Sequence, residues 1–330
     1  MSKGLVTIFG GSGFLGRYAA RALVRQGWRV RIACRQPGLA GDARLAGSAP
    51  GWVDIAPVNI SNRASIAEAL RGSDAAVNLV GILHERGRQT FENVHVAGAE
   101  NIADMAREAG IARFVHVSAL GADPDSKIRY VRTKGEGEAK VRRACPQAVI
   151  LRPSVVFGPE DRFFNRFAEL ARRLPFLPAI GGGRTRLQPV YAGDVADAIC
   201  AAVNRPDAAG NTYALAGPET CSLKDIYDFI MKVTDRRRLT LPVPFFMAQP
   251  AGYVCGAIWH YLPPFSWGFF GDPPVTGNQI QMLRSETVAD ADKPGLAELG
   301  IDDLETIEAI TPAYLWRYRA YGEFHRRREA

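Results

Sequence analysis

Gly10-Gly11-Ser12-Gly13-Phe14-Leu15-Gly16 decides how this chain is read. It follows the apolar run Leu5-Val6-Thr7-Ile8-Phe9, which reads as a buried parallel strand. It precedes residues 17–26, where Ala19, Ala20, Leu23 and Val24 recur at helical spacing. A Gly-x-x-Gly-x-x-Gly spacing between a strand and a helix points to a dinucleotide pyrophosphate. Gly10 serves the sharp turn, Gly13 the close approach of backbone to phosphate, and Gly16 the packing of helix on strand. Ser12, Phe14, Leu15 and Arg17 complete the loop, and the helix N-terminus offers unpaired N–H groups and a positive dipole.

Cofactor choice is expected where the second strand, Arg29–Cys34, ends. A carboxylate there suits the ribose 2′-hydroxyl of NAD, and an arginine suits the 2′-phosphate of NADP. No carboxylate occurs between Gly16 and Asp42, and Arg35 fills the position with Arg17 close by, so the reading favours NADPH. Residues 52–58 read as a third strand. Beyond it Ile60 is placed to pack on the adenine and Asn59 to bond its amino group. A helix at 63–71, a strand at 75–80 and a helix at 97–109 with Gly110 as C-cap follow; Asn78, Val80 and Gly81 are expected to border the cofactor. Strands alternating with helices in this way give an α/β fold with a doubly wound parallel sheet.

The next strand, Arg113–Val117, ends at Ser118, and Tyr130 and Lys134 then stand four apart on one helical face. Such a lysine lowers the tyrosine pKa by its charge and bonds the nicotinamide ribose. The tyrosine then passes a proton to or from a substrate oxygen held by the serine. The same three residues equally serve to grip the cofactor without turnover.

At this point the sequence resembles the atypical or extended short-chain dehydrogenases. The likeness lies in the glycine motif, Val117-Ser118-Ala119-Leu120-Gly121-Ala122, the Tyr-x-x-x-Lys pair followed by Gly135-Glu136-Gly137-Glu138, Leu151-Arg152-Pro153-Ser154-Val155-Val156-Phe157-Gly158, and Pro189-Val190-Tyr191-Ala192-Gly193-Asp194-Val195-Ala196. Pro159-Glu160-Asp161-Arg162-Phe163-Phe164-Asn165 and Gln279-Ile280-Gln281-Met282-Leu283-Arg284-Ser285 are similar to segments of one subfamily, the nucleotide-binding accessory subunits of respiratory complex I. The resemblance implies a Rossmann domain over residues 1–158 with Pro153 and Val155 beside the cofactor. It also implies a smaller C-terminal α+β lobe over 159–330, with the chain crossing between lobes, and a tightly held NADPH that carries no electrons. Implied partners are the complex I core around the quinone site and an anionic membrane surface, from the cytoplasmic side of a bacterial inner membrane or the matrix side of a mitochondrion. His95 occupies a position where related enzymes often carry asparagine, which weakens the case for an active enzyme.

In the C-terminal half, helices are expected at 162–174, 194–203, 223–233 and 313–324. A strand is expected at 212–216, and a capping box at Ser222 and Asp225. Residues 239–271 hold no Asp, Glu, Lys or Arg and are rich in aromatics, while prolines at 242, 244, 250, 263 and 264 break the run. The longest proline-free piece is too short to span about 30 Å of hydrocarbon. The run is either buried core of the small lobe or an exposed surface, near 239–285, for a protein partner or the bilayer interface. The tail His325-Arg326-Arg327-Arg328 suits anionic headgroups.

Composition narrows the alternatives. The 330 residues carry a net charge of +7, which suits an anionic cofactor or surface, and no nucleic-acid motif accompanies it. Five cysteines and five histidines lie scattered, so neither a disulfide framework nor a metal site is expected. The glycine motif opens ten residues in, which reads as a bacterial-type cytoplasmic chain or one already processed. Three functions fit: the non-catalytic NADPH-binding subunit, an NADPH-dependent reductase or epimerase using Tyr130, Lys134 and Ser118, and a sensor of the NADP(H) ratio.

Overall fold

The computed structural model describes residues 2–41, 46–47, 51–261, 277–320 and 322. The expected features at Asp42, in 262–271 and in the tail from residue 323 lie outside these. Two compact units emerge: Met1–Ser154 with Ala192–Ala216 and Ala289–Leu304, and Val155–Tyr191 with Gly217–Val288 and Glu305–Ala330. The first unit therefore ends at Ser154 rather than 158, and two later segments return to it.

Strand β1 (Leu5–Phe9) is buried along its whole length and leads through the glycine turn into helix α1 (Phe14–Arg25). The helix buries Gly16, Ala19, Ala20, Leu23 and Val24, the face its spacing predicts. Strand β2 (Arg29–Cys34) pairs parallel with β1, and β3 (Val53–Pro57) with β2. Helix α2 (Arg63–Leu70) is capped by Asn62, whose side chain accepts from the N–H groups of Ala64 and Ser65. Strand β4 (Ala75–Asn78) lies on the other side of β1. A π-helical stretch, Glu92–Ala97, precedes helix α3 (Gly98–Glu108), and β5 (Arg113–Val117), α4 (Arg129–Ala144) and β6 (Val149–Pro153) follow.

In the second unit, β7 (Val156–Phe157) opens the chain and α5 (Phe164–Arg173) precedes β8 (Phe176–Ile180), β9 (Arg186–Leu187) and β10 (Val190–Tyr191). The chain then re-enters the first unit as α6 (Ala192–Asn204) and β11 (Thr212–Leu215). The resulting parallel sheet has the order β11-β6-β5-β4-β1-β2-β3. Its strand order reverses between β1 and β4, and in open α/β sheets that switch point is where ligands bind. The architecture is the doubly wound Rossmann-like sheet expected, with smaller sheets in the C-terminal part.

Back in the second unit, β12 (Cys221–Ser222) leads into α7 (Leu223–Thr234), whose capping box forms as read: Asp225 N–H donates to Ser222 Oγ, and Ser222 N–H donates to the Asp225 carboxylate. Strand β13 (Leu239–Val243) pairs parallel with β8. Helix α8 (Phe245–Tyr261) starts behind Pro244 and runs through Pro250, where the sequence reading expected a break. A proline removes one backbone donor, and an exposed helix face tolerates that loss better than a buried one. Among the described residues no helix is long and apolar enough to cross a membrane. Helices α9 (Gly277–Met282), α10 (Ile307–Ile310) and α11 (Pro312–Leu315) complete the chain, and a 3-10 turn at Trp316–Tyr318 replaces the continuous final helix that was expected.

The described part of the charge-free run answers in favour of exposure. Leu239 and Leu241 lie two apart on β13, and Phe176 is in register with Leu239, so the three share one face of the two-stranded sheet. All three are exposed, as are Phe246, Met247, Tyr253 and Val254 on α8. The opposite side of the helix packs inward: Ala248 lies against Ile180 and Ile280, with Phe245 packed on the same cluster and Gly252 buried.

Candidate nucleotide-binding site

The glycine turn has the geometry its spacing implies. Gly10 takes φ +79, and its N–H donates to Ala33 O at 3.1 Å, which ties the turn to the end of β2. A Cβ at Gly16 would lie 2.5 Å from Gly10 O and from the backbone of Gly11, so the first turn of α1 rests directly on the loop. Gly13 is the N-cap and offers no side chain, and no acid stands in the first turn of α1. The terminal N–H groups therefore face outward with the positive end of the helix dipole.

The end of β2 closes one flank. Burial pushes the Cys34 thiol up, against a lowering influence from the Gln36 backbone and the Ser12 side chain, and Arg35 follows as an exposed side chain. Arg17 folds back on the loop, its Nη1 donating to Ser12 O at 3.1 Å. Farther along the sheet edge, Asn59 is exposed and its Oδ1 already accepts from Ser61 N–H at 3.0 Å. Ile60 packs into the first-unit core over Gly98 of α3.

The other flank is buried. Tyr130, Thr133, Lys134, Gly137, Glu138 and Val141 form the inward face of α4. Lys134 is 6% exposed, yet its ammonium has one acceptor among the described residues, Val117 O at 3.5 Å. Glu138, one turn on, is held by Arg152 through three bonds, Nη2–Oε2 at 2.6 Å, Nε–Oε1 at 3.0 Å and Nε–Oε2 at 3.2 Å. Burial pushes the Lys134 amine down to about 8, against a raising influence from Glu138. Ser118 Oγ is buried with no hydrogen-bond partner among the described residues. A buried cation short of acceptors beside an unpaired hydroxyl fits ligand hydroxyls, as a nicotinamide ribose would supply.

Tyr130 departs from expectation. Its hydroxyl is pushed up to about 12 by burial, and no lowering by Lys134 offsets this. The ring meets Phe91 and His95 edge-on, at 5.8 and 5.4 Å between centroids. Asn78, at the end of β4, is engaged within the fold through both ends of its amide. Its Oδ1 accepts from Val80 N–H at 3.0 Å, and its Nδ2 therefore donates to His116 Nδ1 at 3.1 Å. Gly81 does reach the site, since a Cβ there would stand 3.3 Å from Lys134 Nζ. Pro153 ends β6, and its carbonyl accepts from Leu120 N–H at 2.9 Å, just beyond Ser118. Val155 belongs to the second unit.

Two histidines belong to this flank, His116, which the sequence reading missed, and His95, which it noted only as standing in place of asparagine. His116 lies two residues before Ser118 on β5, is buried, and carries an Nε2 with no partner among the described residues. Burial and the nearby Lys134 cation lower it to about 3. His95 sits in the π-helical stretch and touches both flanking elements. Irregular helical turns of this kind are frequent at functional sites, but nothing in the sequence marks where one forms.

Three comparisons place the chain among known proteins. The profile of the NAD dependent epimerase/dehydratase family matches residues 6–216. The mouse (Mus musculus) mitochondrial NADH dehydrogenase [ubiquinone] 1 alpha subcomplex subunit 9 is 35% identical over 323 residues, 96% of this chain and 81% of that protein. A ceramide reductase of Caulobacter vibrioides is 32% identical over 209 residues, 62% of each chain. In fold, the UDP-glucose 4-epimerase of Thermus thermophilus, solved with NAD, superposes with a TM-score of 0.66 at 16% identity, covering 94% of this chain and 98% of that one. With its glycine turn, its parallel sheet and a family profile matching well over half its length, the chain belongs to the NAD-dependent epimerase/dehydratase family, the extended short-chain dehydrogenases.

Proposed function

We propose that the chain is an NADPH-binding accessory subunit of a complex I-type NADH:quinone oxidoreductase, one that holds its cofactor beside the quinone-reducing core without turning it over. One observation carries this reading. The match to the mouse subunit spans 323 residues and so extends past residue 216, where the family profile ends, over the region of the exposed apolar face. A free enzyme of this fold has no need of such a face.

The residues present fit the cofactor. The N–H groups of Ser12 and of the first turn of α1 would hold the pyrophosphate, Arg35 the 2′-phosphate, and Lys134 with Tyr130 the nicotinamide ribose. Bound NADPH supplies a transferable hydride, and a buried tyrosine at about 12 is a poor proton donor for using it. The exposed apolar residues Phe176, Leu239 and Leu241 of the two-stranded sheet lie next in sequence to Arg172, Arg173 and Arg236–Arg237–Arg238, and Phe246, Met247, Tyr253 and Val254 of α8 are exposed as well. Apolar surface beside arginines suits core subunits at the membrane and an anionic headgroup layer. The chain would then work as a peripheral protein on the cytoplasmic or matrix side.

Extraction of the native protein in mild detergent tests the proposal. Recovery with quinone-reducing subunits and about one NADPH per chain is expected. Recovery of the chain alone and free of nucleotide overturns it.

A second reading, an NADPH-dependent reductase, is favoured by the unpartnered Ser118 hydroxyl, suited to a substrate oxygen, and by the likeness to a reductase. It requires that Tyr130→Phe abolish turnover of a carbonyl substrate while cofactor stays bound; undiminished turnover excludes it.

A further inference from the structure

One side chain joins the two elements that meet at the buried flank. His95 Nε2 lies 3.1 Å from the backbone nitrogen of Ile82, the residue after Gly81. A backbone N–H can only donate, so Nε2 is bare and accepts. His95 Nδ1 lies 3.1 Å from Thr133 Oγ1, which in turn donates to Tyr130 O at 3.1 Å. Nδ1 therefore carries the proton of a neutral ring and donates to Thr133. The ring stacks on Phe91 at 5.3 Å and meets Tyr130 edge-on. His95 is 2% exposed, which leaves no water to replace either bond.

The bonds place His95 between the turn after β4 and the first turns of α4. Gly81 and Lys134 Nζ face each other immediately beside it, 3.3 Å apart as judged by a Cβ at Gly81. The backbone conformation that allows this is the π-helical stretch Glu92–Ala97. An asparagine at position 95 is too short to reach both Ile82 N–H and Thr133 Oγ1.

We propose that His95, locked as the neutral Nδ1–H tautomer, is the positioning residue of the ribose flank: it ties the Gly81–Ile82 turn to Thr133 and so sets the gap in which Lys134 meets the cofactor's nicotinamide ribose. The charged and titratable groups around it agree with a neutral ring. Burial, the Lys134 cation and the neighbouring His116 all lower His95, to about 2. Glu138 is bound by Arg152 and Tyr130 stays protonated, so no anion offsets that effect. His116 has the opposite tautomer, because Asn78 donates to its Nδ1 and leaves the proton on Nε2.

The inference rests on the cleft taking a dinucleotide, and the test separates the two claims. Long-range ¹H–¹⁵N spectra of the full chain without ligand are expected to show His95 neutral as Nδ1–H and His116 neutral as Nε2–H from pH 5 to 8. A charged ring, or Nε2–H at His95, overturns the lock whatever the chain binds. The second arm titrates NADPH and adenosine 2′,5′-bisphosphate, which lacks the nicotinamide ribose, into wild type, His95→Leu and His95→Gln. His95→Leu is expected to weaken NADPH about ten-fold, the scale of one lost buried hydrogen bond, and to leave the fragment's affinity unchanged. His95→Gln, which keeps an acceptor and a donor, recovers most of the loss. Equal weakening of both ligands, or of neither, overturns the positioning role. If wild type binds neither ligand, the dinucleotide reading fails while the tautomers still report on the lock.

Discussion

The two flanks of the cleft are built on opposite principles. Toward β2 and β3, Arg35 and Asn59 are exposed side chains at strand ends, with little packed on them. Toward β5 and α4, Ser118, Tyr130, Lys134 and His95 are all buried, and each touches another member or waits for a partner. The difference separates two ways of making a binding site. An exposed charge contributes affinity alone, because its removal disturbs no packing. A buried polar group contributes affinity and sets stability together, since desolvation acts on it whether or not ligand is bound.

The largest expected effect is therefore at Lys134. Lys134→Met should weaken NADPH about 100-fold, the range for hydrogen bonds to a charged group, while raising resistance to urea at pH 7, because a desolvated cation with one long acceptor is removed. Equal losses of affinity and stability would place Lys134 among ordinary core residues and dissolve the contrast.

The same residue predicts a pH dependence. Its pKa falls to about 8 in the folded chain from 10.5. Between those values the unfolded chain binds more protons at this site, so its contribution to stability rises with pH across the window. Below about 8 the amine is protonated in both states and the full penalty stands. Urea titrations of wild type minus Lys134→Met should show that rise between pH 8 and 10; a flat difference contradicts the burial argument. Taking the difference removes Cys200 and Cys221, whose raised pKa values act with the opposite sign.

At the exposed flank the effect is smaller and purely one of affinity. Arg35→Ala should weaken NADPH by about ten-fold, leave NADH unchanged and leave the urea midpoint where it was. Smallest of all is Asn59→Ala, below about three-fold on either ligand, because its Oδ1 already serves a local turn. Calorimetric titration of both ligands orders these changes. A larger effect at Asn59 than at Arg35 would relocate cofactor selection.

What the sequence showed follows the range of the interactions. Strands Leu5–Phe9, Arg29–Cys34 and Arg113–Val117 were legible to the residue, the first as an apolar run ended by glycine, the other two as β-branched and aromatic residues that follow a turn and end at the cofactor motifs. The Ser222–Asp225 cap was legible because it spans three residues. A crossing between lobes was expected from the resemblance, but which segment returns, Ala192–Ala216, and to which edge of the sheet was not legible, since that depends on which strand edge is open after β6 has docked. His95 was seen only as a departure from asparagine. Its partners Ile82 and Thr133 lie 13 and 38 residues away, and only the fold brings them to one ring. The continuity of α8 through Pro250 was misread because a local rule on proline says nothing about whether the lost bond faces solvent.

The central claim is that the cleft beside the glycine turn takes a dinucleotide and prefers the one with a 2′-phosphate. Titration calorimetry of the purified full-length chain with NADPH and with NADH measures it directly. The account predicts one site per chain and NADPH binding at least about ten-fold tighter, as one added guanidinium–phosphate pair gives. Absence of binding, or equal affinity for the two cofactors, would contradict it.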